Sequence, residues 1–261
     1  MKNDDIVITS AFRTAIGKFS GSLSSQTAPE LGSTVIKKCV ENSELKKEEV
    51  DMVYMGQVLT AGTGQNPARQ ASILAGLPHE TTNTTVNQVC GSGLASVALA
   101  YNSIKSGDGK LVIAGGQESM SNSPHYMNIR KGIKMGDGKM KDSMIIDGLW
   151  DVYNQYHMGI TAENVAEKFQ IRREEQDSFA AASQRKAAEA IKEKKFVNEI
   201  VPVKIKFKKE EIEFDKDEYP KAESTVEKLA KLRPAFKKNG TVTAGNASGV
   251  NDGAAAVCLM T

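Results

Sequence analysis

The sequence predicts an α/β protein, a sheet with at least some parallel pairing between layers of helix. Short apolar, β-branched runs alternate with segments of helical spacing through the first 118 residues. The helical segments also carry their own start and stop residues.

Residues 6–9, IVIT, read as a short buried first strand. Leu31, Val35, Ile36, Cys39 and Val40 then mark one face of a helix starting near Pro29. A second strand lies within residues 52–59. In residues 66–76, Asn66 is placed to cap a helix, Pro67 fits its first turn and Gly76 ends it. Residues 81–89 are rich in threonine and valine and read as a strand. After Gly91-Ser92-Gly93 the spacing becomes helical, with Leu94, Val97, Ala98 and Tyr101 on one face and Gly107 as a stop. Residues 111–114 form another buried strand.

From 119 to 156 serine, asparagine, glycine, lysine and methionine dominate, and periodicity fades. Long irregular stretches of this kind are often functional. Helical pattern resumes over 161–195. Residues 204–221 mix charges densely and read either as a pair of exposed strands or as a loop, with a solvated face. Residues 241–250, TVTAGNASGV, form a glycine-punctuated loop, and 254–260 an apolar strand. A buried strand needs neighbours on both sides, so either this one returns to the first sheet or a further segment belongs beside it.

With 261 residues the chain is long enough for one large domain or two smaller ones. Its 40% hydrophobic and 25% charged content is that of a globular protein, and a net charge of +2 gives no electrostatic reason to expect nucleic acid. Cys39, Cys90 and Cys258 are scattered and odd in number, which fits a reducing compartment rather than a disulfide framework. No zinc-type cysteine or histidine spacing occurs, and the histidines are His79, His125 and His157. The first residues lack a signal-peptide core, and no run of 18 apolar residues exists. The expectation is a cytoplasmic protein without membrane or metal.

Cys90 stands where the strand of 81–89 gives way to a helix. The positive end of a helix there favours a thiolate, and the flanking glycines leave room for a substrate. Two readings stay open: a nucleophilic cysteine, or an inert buried one at a tight junction.

NQVCGSGL around Cys90, GGQESMS (115–121), TVTAGNASGVNDGAA (241–255), NPARQ (66–70), YHMGITAENVA (156–166) and RTAIGKFSG (13–21) resemble the motifs of the thiolase family, in family order along the chain. The match is nearest to the biosynthetic branch, which condenses two acetyl-CoA molecules to acetoacetyl-CoA. The resemblance implies a layered αβαβα fold with an N-terminal βαβαβαββ core. It divides the chain into that core (1–118), a loop domain for coenzyme A and tetramer contacts (119–240), and a return to the core sheet (241–261). It implies that Cys90 is the acyl-accepting nucleophile, its backbone N–H part of an oxyanion hole. Ser248 would bond the pantetheine arm, and Leu149, His157, Met158, Lys221 and Ala244 would line the coenzyme site. No separate cofactor is implied, because coenzyme A is substrate and product.

Elementary chemistry is compatible with two of these roles. Ala244, Gly245, Ala247, Ser248 and Gly249 permit close backbone approach, and Lys221 is a suitable point charge for phosphate. Each also has a plainer reading, a tight turn and a solvated lysine. His157 suits a pocket wall better than proton transfer. Residues 131–148 resemble the family's tetramerisation loop, and the cluster of Met135, Met140, Met144, Ile145 and Ile146 supports contact with other subunits. A homodimer or tetramer is expected.

The family's complete members carry a second core half, with a histidine in a GHP motif, an asparagine in an NEAF-type motif and a cysteine in a CxGGG motif. None occurs in these residues: His79 lies in LPHE, His125 in SPHY and Cys258 in AVCLM. The second core half is therefore expected to be absent here, and this chain to be inactive or nearly so by itself. Lys228 stands where relatives often have serine, and Lys221 where they often have arginine, which keeps the charge without the bidentate fork. Two alternatives remain: a degradative 3-ketoacyl-CoA thiolase, which the HMG motif (157–159) argues against, and a non-catalytic coenzyme-binding or assembly half.

Overall fold

The computed structural model describes residues 5–43, 45–207 and 210–261. In chain order the elements are β1 (Val7–Thr14), β2 (Gly17–Lys18), α1 (Ala28–Asn42), β3 (Met52–Gly56), α2 (Pro67–Leu74), β4 (Thr82–Val86), α3 (Ser92–Ser106) and β5 (Leu111–Ser119). There follow β6 (His125–Tyr126), β7 (Lys141–Asp142), β8 (Trp150–Asp151), β9 (Tyr156–His157), α4 (Met158–Lys168) and α5 (Arg173–Lys192). The last are β10 (Ile200–Val201), β11 (Val203–Phe207), β12 (Glu210–Phe214), α6 (Val226–Leu229) and β13 (Asn251–Met260). They form two compact units: Met1–Met144 with Glu199–Glu218 and Asn251–Thr261, and Ile145–Asn198 with Tyr219–Val250. This division falls at other residues than the expected 1–118, 119–240 and 241–261.

The first unit is built on a seven-stranded sheet ordered β10-β1-β13-β5-β3-β4, with β2 beside β13. β3 is parallel to both β4 and β5. β13 runs antiparallel to β1 and β5, so the final apolar strand does return to the first sheet and has a neighbour on each side. Leu111 and Ile113 join the core that includes Leu31, Val35 and Ile36 of α1. Val112 and Ala114 join the opposite cluster, with Ala100 and Ile104 of α3. β5 is thus covered on both faces, which explains its unbroken apolar run.

Local chemistry sets the helix ends. Thr27 and Glu30 make a reciprocal capping box at α1. Asn66 Oδ1 accepts the Arg69 N–H at 3.3 Å to start α2, and Gly76 leaves it with φ +82°.

Three expectations need correction. The first strand extends to Thr14, and Ile8 is 57% exposed while Ser10 and Thr14 are buried. A register shift between Ile8 and Ser10 offsets the simple alternation. The strand of 111–114 runs on to Ser119, paired there with Asp252. The packed face of α3 is Ser92, Ser96, Ala100 and Ile104, whereas Leu94 and Tyr101 are exposed. The cause is close approach. A Cβ on Gly56 would lie 2.6 Å from the Ser92 carbonyl carbon, so only small side chains fit at the start of α3.

Residues 204–221 include a strand pair rather than a loop. Lys204 faces Glu213 and Lys206 faces Glu211 across β11 and β12, while Val203 and Ile205 are buried in the core. Residues 208 and 209, within this stretch, lie outside the described residues. The segment is fastened to the first unit through Arg13, whose guanidinium reaches both Asp217 oxygens at 2.7 and 3.0 Å and Glu199 at 2.6 Å.

In the second unit the helical pattern of 161–195 divides into α4 and α5, separated by a turn in which Gln170 has φ +55°. Among the described residues no helix is long and apolar enough to cross a membrane.

Candidate active site

Cys90 follows the carboxyl end of β4 and immediately precedes Gly91, the N-cap of α3. No side-chain hydrogen bond caps that helix, and the Gly91 N–H is held by the Gln88 carbonyl at 3.0 Å. Cys90 is exposed, which sets aside the reading of a buried, inert cysteine. The preceding Val89 has φ +49°, a left-handed conformation that is a genuine outlier for a β-branched residue. Ser92 fastens this turn. Its Oγ accepts the Gln88 N–H at 2.8 Å and donates to the Val89 carbonyl at 2.5 Å, and its N–H reaches the same carbonyl at 3.1 Å.

Two acidic groups that the sequence did not single out lie on paired strands, Glu118 on β5 and the buried Asp252 on β13. Glu118 accepts the N–H groups of Val58 and Leu59 at 2.8 and 3.2 Å. Burial pushes its carboxyl above the usual range, against those two hydrogen bonds. Asp252 accepts the Ser121 N–H at 2.9 Å and its hydroxyl at 2.5 Å. GGQES and VNDG therefore meet across the β5–β13 pair, where Gly253 faces Glu118.

The second unit contains an open cavity of about 520 Å³. One wall is α5, through Phe179, Ala180, Ser183 and Gln184. A second carries Lys221, Ser224, Lys228, Leu229 and Leu232. The third is the glycine loop, Ala244 to Gly249. Lys221, Ala244 and Ser248 are thus brought to one cavity, as are Lys228 and the exposed Phe179. Among the salt bridges of the described residues neither lysine appears.

Leu149, His157 and Met158 do not line this cavity. Leu149 ends a π-helical turn, and Met158 begins α4 with 38% exposure. His157 Nδ1 accepts the Gly159 N–H at 3.0 Å, and its ring stacks on Phe236 at 5.0 Å between centroids. Phe236 escaped the sequence reading because nothing in KLRPAFKK marks it. Arg173 and Asp177 escaped too, although their i,i+4 spacing on a helix was a visible sign of pairing.

The Thiolase, N-terminal domain family model matches residues 6–261. The acetyl-CoA acetyltransferase of Chromobacterium violaceum is 59% identical over 258 residues, 98% of this chain and 66% of that protein. That of Cupriavidus necator is 58% identical over 258 residues, again 98% and 66%. The crystal structure of the Bacillus anthracis acetyl-CoA acetyltransferase superposes with a TM-score of 0.95 at 41% identity, covering 98% of this chain and 65% of that one. The chain spans 66% of the length of these curated relatives. The sheet, the cysteine turn and the glycine loop all lie within the matched residues, and the chain belongs to the thiolase family by its N-terminal domain.

Proposed function

We propose that these residues supply the nucleophile and coenzyme site of an acetyl-CoA C-acetyltransferase. The observation that carries this reading is the exposed Cys90 on a strained turn at an uncapped helix start. The Cys90 thiolate attacks the thioester carbonyl of acetyl-CoA, with the Cys90 N–H among the donors to the oxyanion. The intermediate collapses to S-acetyl-Cys90, and coenzyme A leaves as a thiolate that takes up a proton. A second acetyl-CoA, its methyl proton passing to a base of the family's second core half, attacks the acetyl group. The new carbon–carbon bond forms as the Cys90 carbon–sulfur bond breaks, giving acetoacetyl-CoA.

Lys221 and Lys228 suit the phosphates of coenzyme A, and Ala244 to Gly249 suit its narrow pantetheine arm. Leu149, His157 and Met158 remain assigned to the coenzyme by family resemblance. The same proposal places the protein in the cytoplasm as a homodimer or tetramer, with coenzyme A as substrate and product and no further cofactor. Exposed Ile129, Ile133, Met135 and Met140 favour self-association.

Intact mass spectrometry after incubation with acetyl-CoA tests the reading. The expected result is a gain of one acetyl group, abolished in Cys90→Ser, with no acetoacetyl-CoA released by these residues alone. An unmodified wild type with intact fold would overturn it.

A second reading, a coenzyme-binding half that works with a further polypeptide, is favoured by the outward face of α3. Leu94 is 78% exposed, and Leu99 and Tyr101 lie open beside it. It predicts coenzyme binding without acetylation, and acetylation only after the partner is added.

A further inference from the structure

Two walls of the cavity converge on one buried ion pair. Asp177 is 1% exposed and lies behind the lining residues of α5. Its Oδ2 accepts Arg173 Nε at 2.7 Å, and its Oδ1 accepts Asn246 Nδ2 at 2.9 Å. The other end of the same guanidinium holds the α6 wall: Arg173 Nη2 donates to the Leu229 carbonyl at 2.7 Å and the Leu232 carbonyl at 3.0 Å. These are carbonyls at a helix end, which a guanidinium fork satisfies well. Asn246 carries the connection into the glycine loop. It donates to the Thr241 carbonyl at 3.1 Å and accepts the Thr243 N–H at 2.7 Å. Where the walls meet, a Cβ on Gly245 would lie 2.5 Å from Leu229 and 2.6 Å from Leu232, so the loop seats directly on α6.

We propose that Arg173 and Asp177 are positioning residues for the coenzyme site, a clamp that fixes the α6 wall and the glycine loop at the separation the ligand requires. The proposal rests on the reading of this cavity as the coenzyme site. Neither residue lines the cavity, so each acts through the walls it holds. Charge alone is insufficient for the task. A lysine at 173 would keep the attraction to Asp177 but could not span from that carboxylate to two carbonyls.

The experiment compares the full 261-residue chain with Arg173→Lys and Asp177→Asn. Coenzyme A affinity is read by calorimetry, amide exchange by mass spectrometry, and Cys90 reactivity by iodoacetamide labelling. In Arg173→Lys, binding is expected to weaken about tenfold or more. Exchange should rise in both residues 226–232 and 241–249, while Cys90 labelling stays unchanged. Asp177→Asn should loosen the same two segments; if that variant fails to fold, Arg173→Lys retains the charge and decides the matter. A lowered melting temperature with wild-type affinity and wild-type exchange in the two walls would show a merely structural pair and overturn the proposal. Failure of the wild type itself to bind coenzyme A would sink the coenzyme reading, and the positioning role with it, whereas a binding wild type with indifferent variants would sink only the clamp.

Discussion

Val89 occupies a conformation that costs a β-branched side chain on the order of 1–3 kcal/mol, and it does so one residue before the cysteine. Such strain persists where surrounding bonds over-determine it, and here the Ser92 hydroxyl and N–H both reach the Val89 carbonyl. The three cysteines should therefore behave very differently. Burial pushes the Cys39 thiol up to about 11, and the Cys258 thiol is raised by burial as well. Iodoacetamide on the native protein near neutral pH is expected to label Cys90 alone, and all three residues after unfolding; native labelling of Cys39 or Cys258 at a comparable rate would contradict this burial. Cys90 was legible from its strand-to-helix junction and the glycines after it, whereas Lys221, Ala244 and Ser248 were candidates through the family resemblance, with which their residue types are compatible. Partners across the fold were not legible. That Asn246 meets Asp177, or that Phe236 meets His157, depends on how segments distant in sequence are brought together.

β10 adds only two residues to the edge of the sheet, yet its attachment is reinforced by ion pairs through Arg13. Burial works against the charge of Asp217, but the hydrogen bond from Arg13, the Ile16 N–H and the guanidinium charge together hold its carboxyl below the usual range. Its side chain is 7% exposed. Asp217→Asn is expected to destabilise the protein by about 2–3 kcal/mol near neutral pH, because Arg13 loses a buried partner. A carboxylate with a lowered folded value stabilises above its unfolded value and loses that contribution as pH falls through the folded one. The difference between wild type and variant in urea unfolding should therefore shrink below about pH 4, and a difference that stays constant down to pH 3 would argue against the pairing. Elements whose signals are local were readable: the start of α1 near Pro29, and Asn66 with Gly76 around α2. The packed face of α3 was not, because the demand for small residues comes from Gly56 on another strand. Nor could two-residue strands such as β10 rise above the background of apolar pairs.

The excursion between β6 and β7 exposes Met135 to 95% and Met140 to 63%, with Ile129 and Ile133 beside them. Isolated apolar side chains need no explanation, but a cluster on one segment favours contact with another copy. If the proposed self-association holds, paired substitution of Ile133→Lys and Met135→Lys is expected to lower the mass measured by light scattering; an unchanged mass would argue against this segment as a contact. The layered α/β class could be read from alternation alone, whereas the strand order could not. Periodicity marked 254–260 as a buried strand without saying that it lies between β1 and β5. That placement bears on how the chain acquires its shape during synthesis. Val7 pairs with Met260, so β1 leaves the ribosome long before its partner has been translated. β1 and β5 must wait with open edges until β13 arrives between them, and closing so large a loop is slow. The nascent chain is thus most exposed to misassociation just before β13 emerges, when a chaperone would have most to shield.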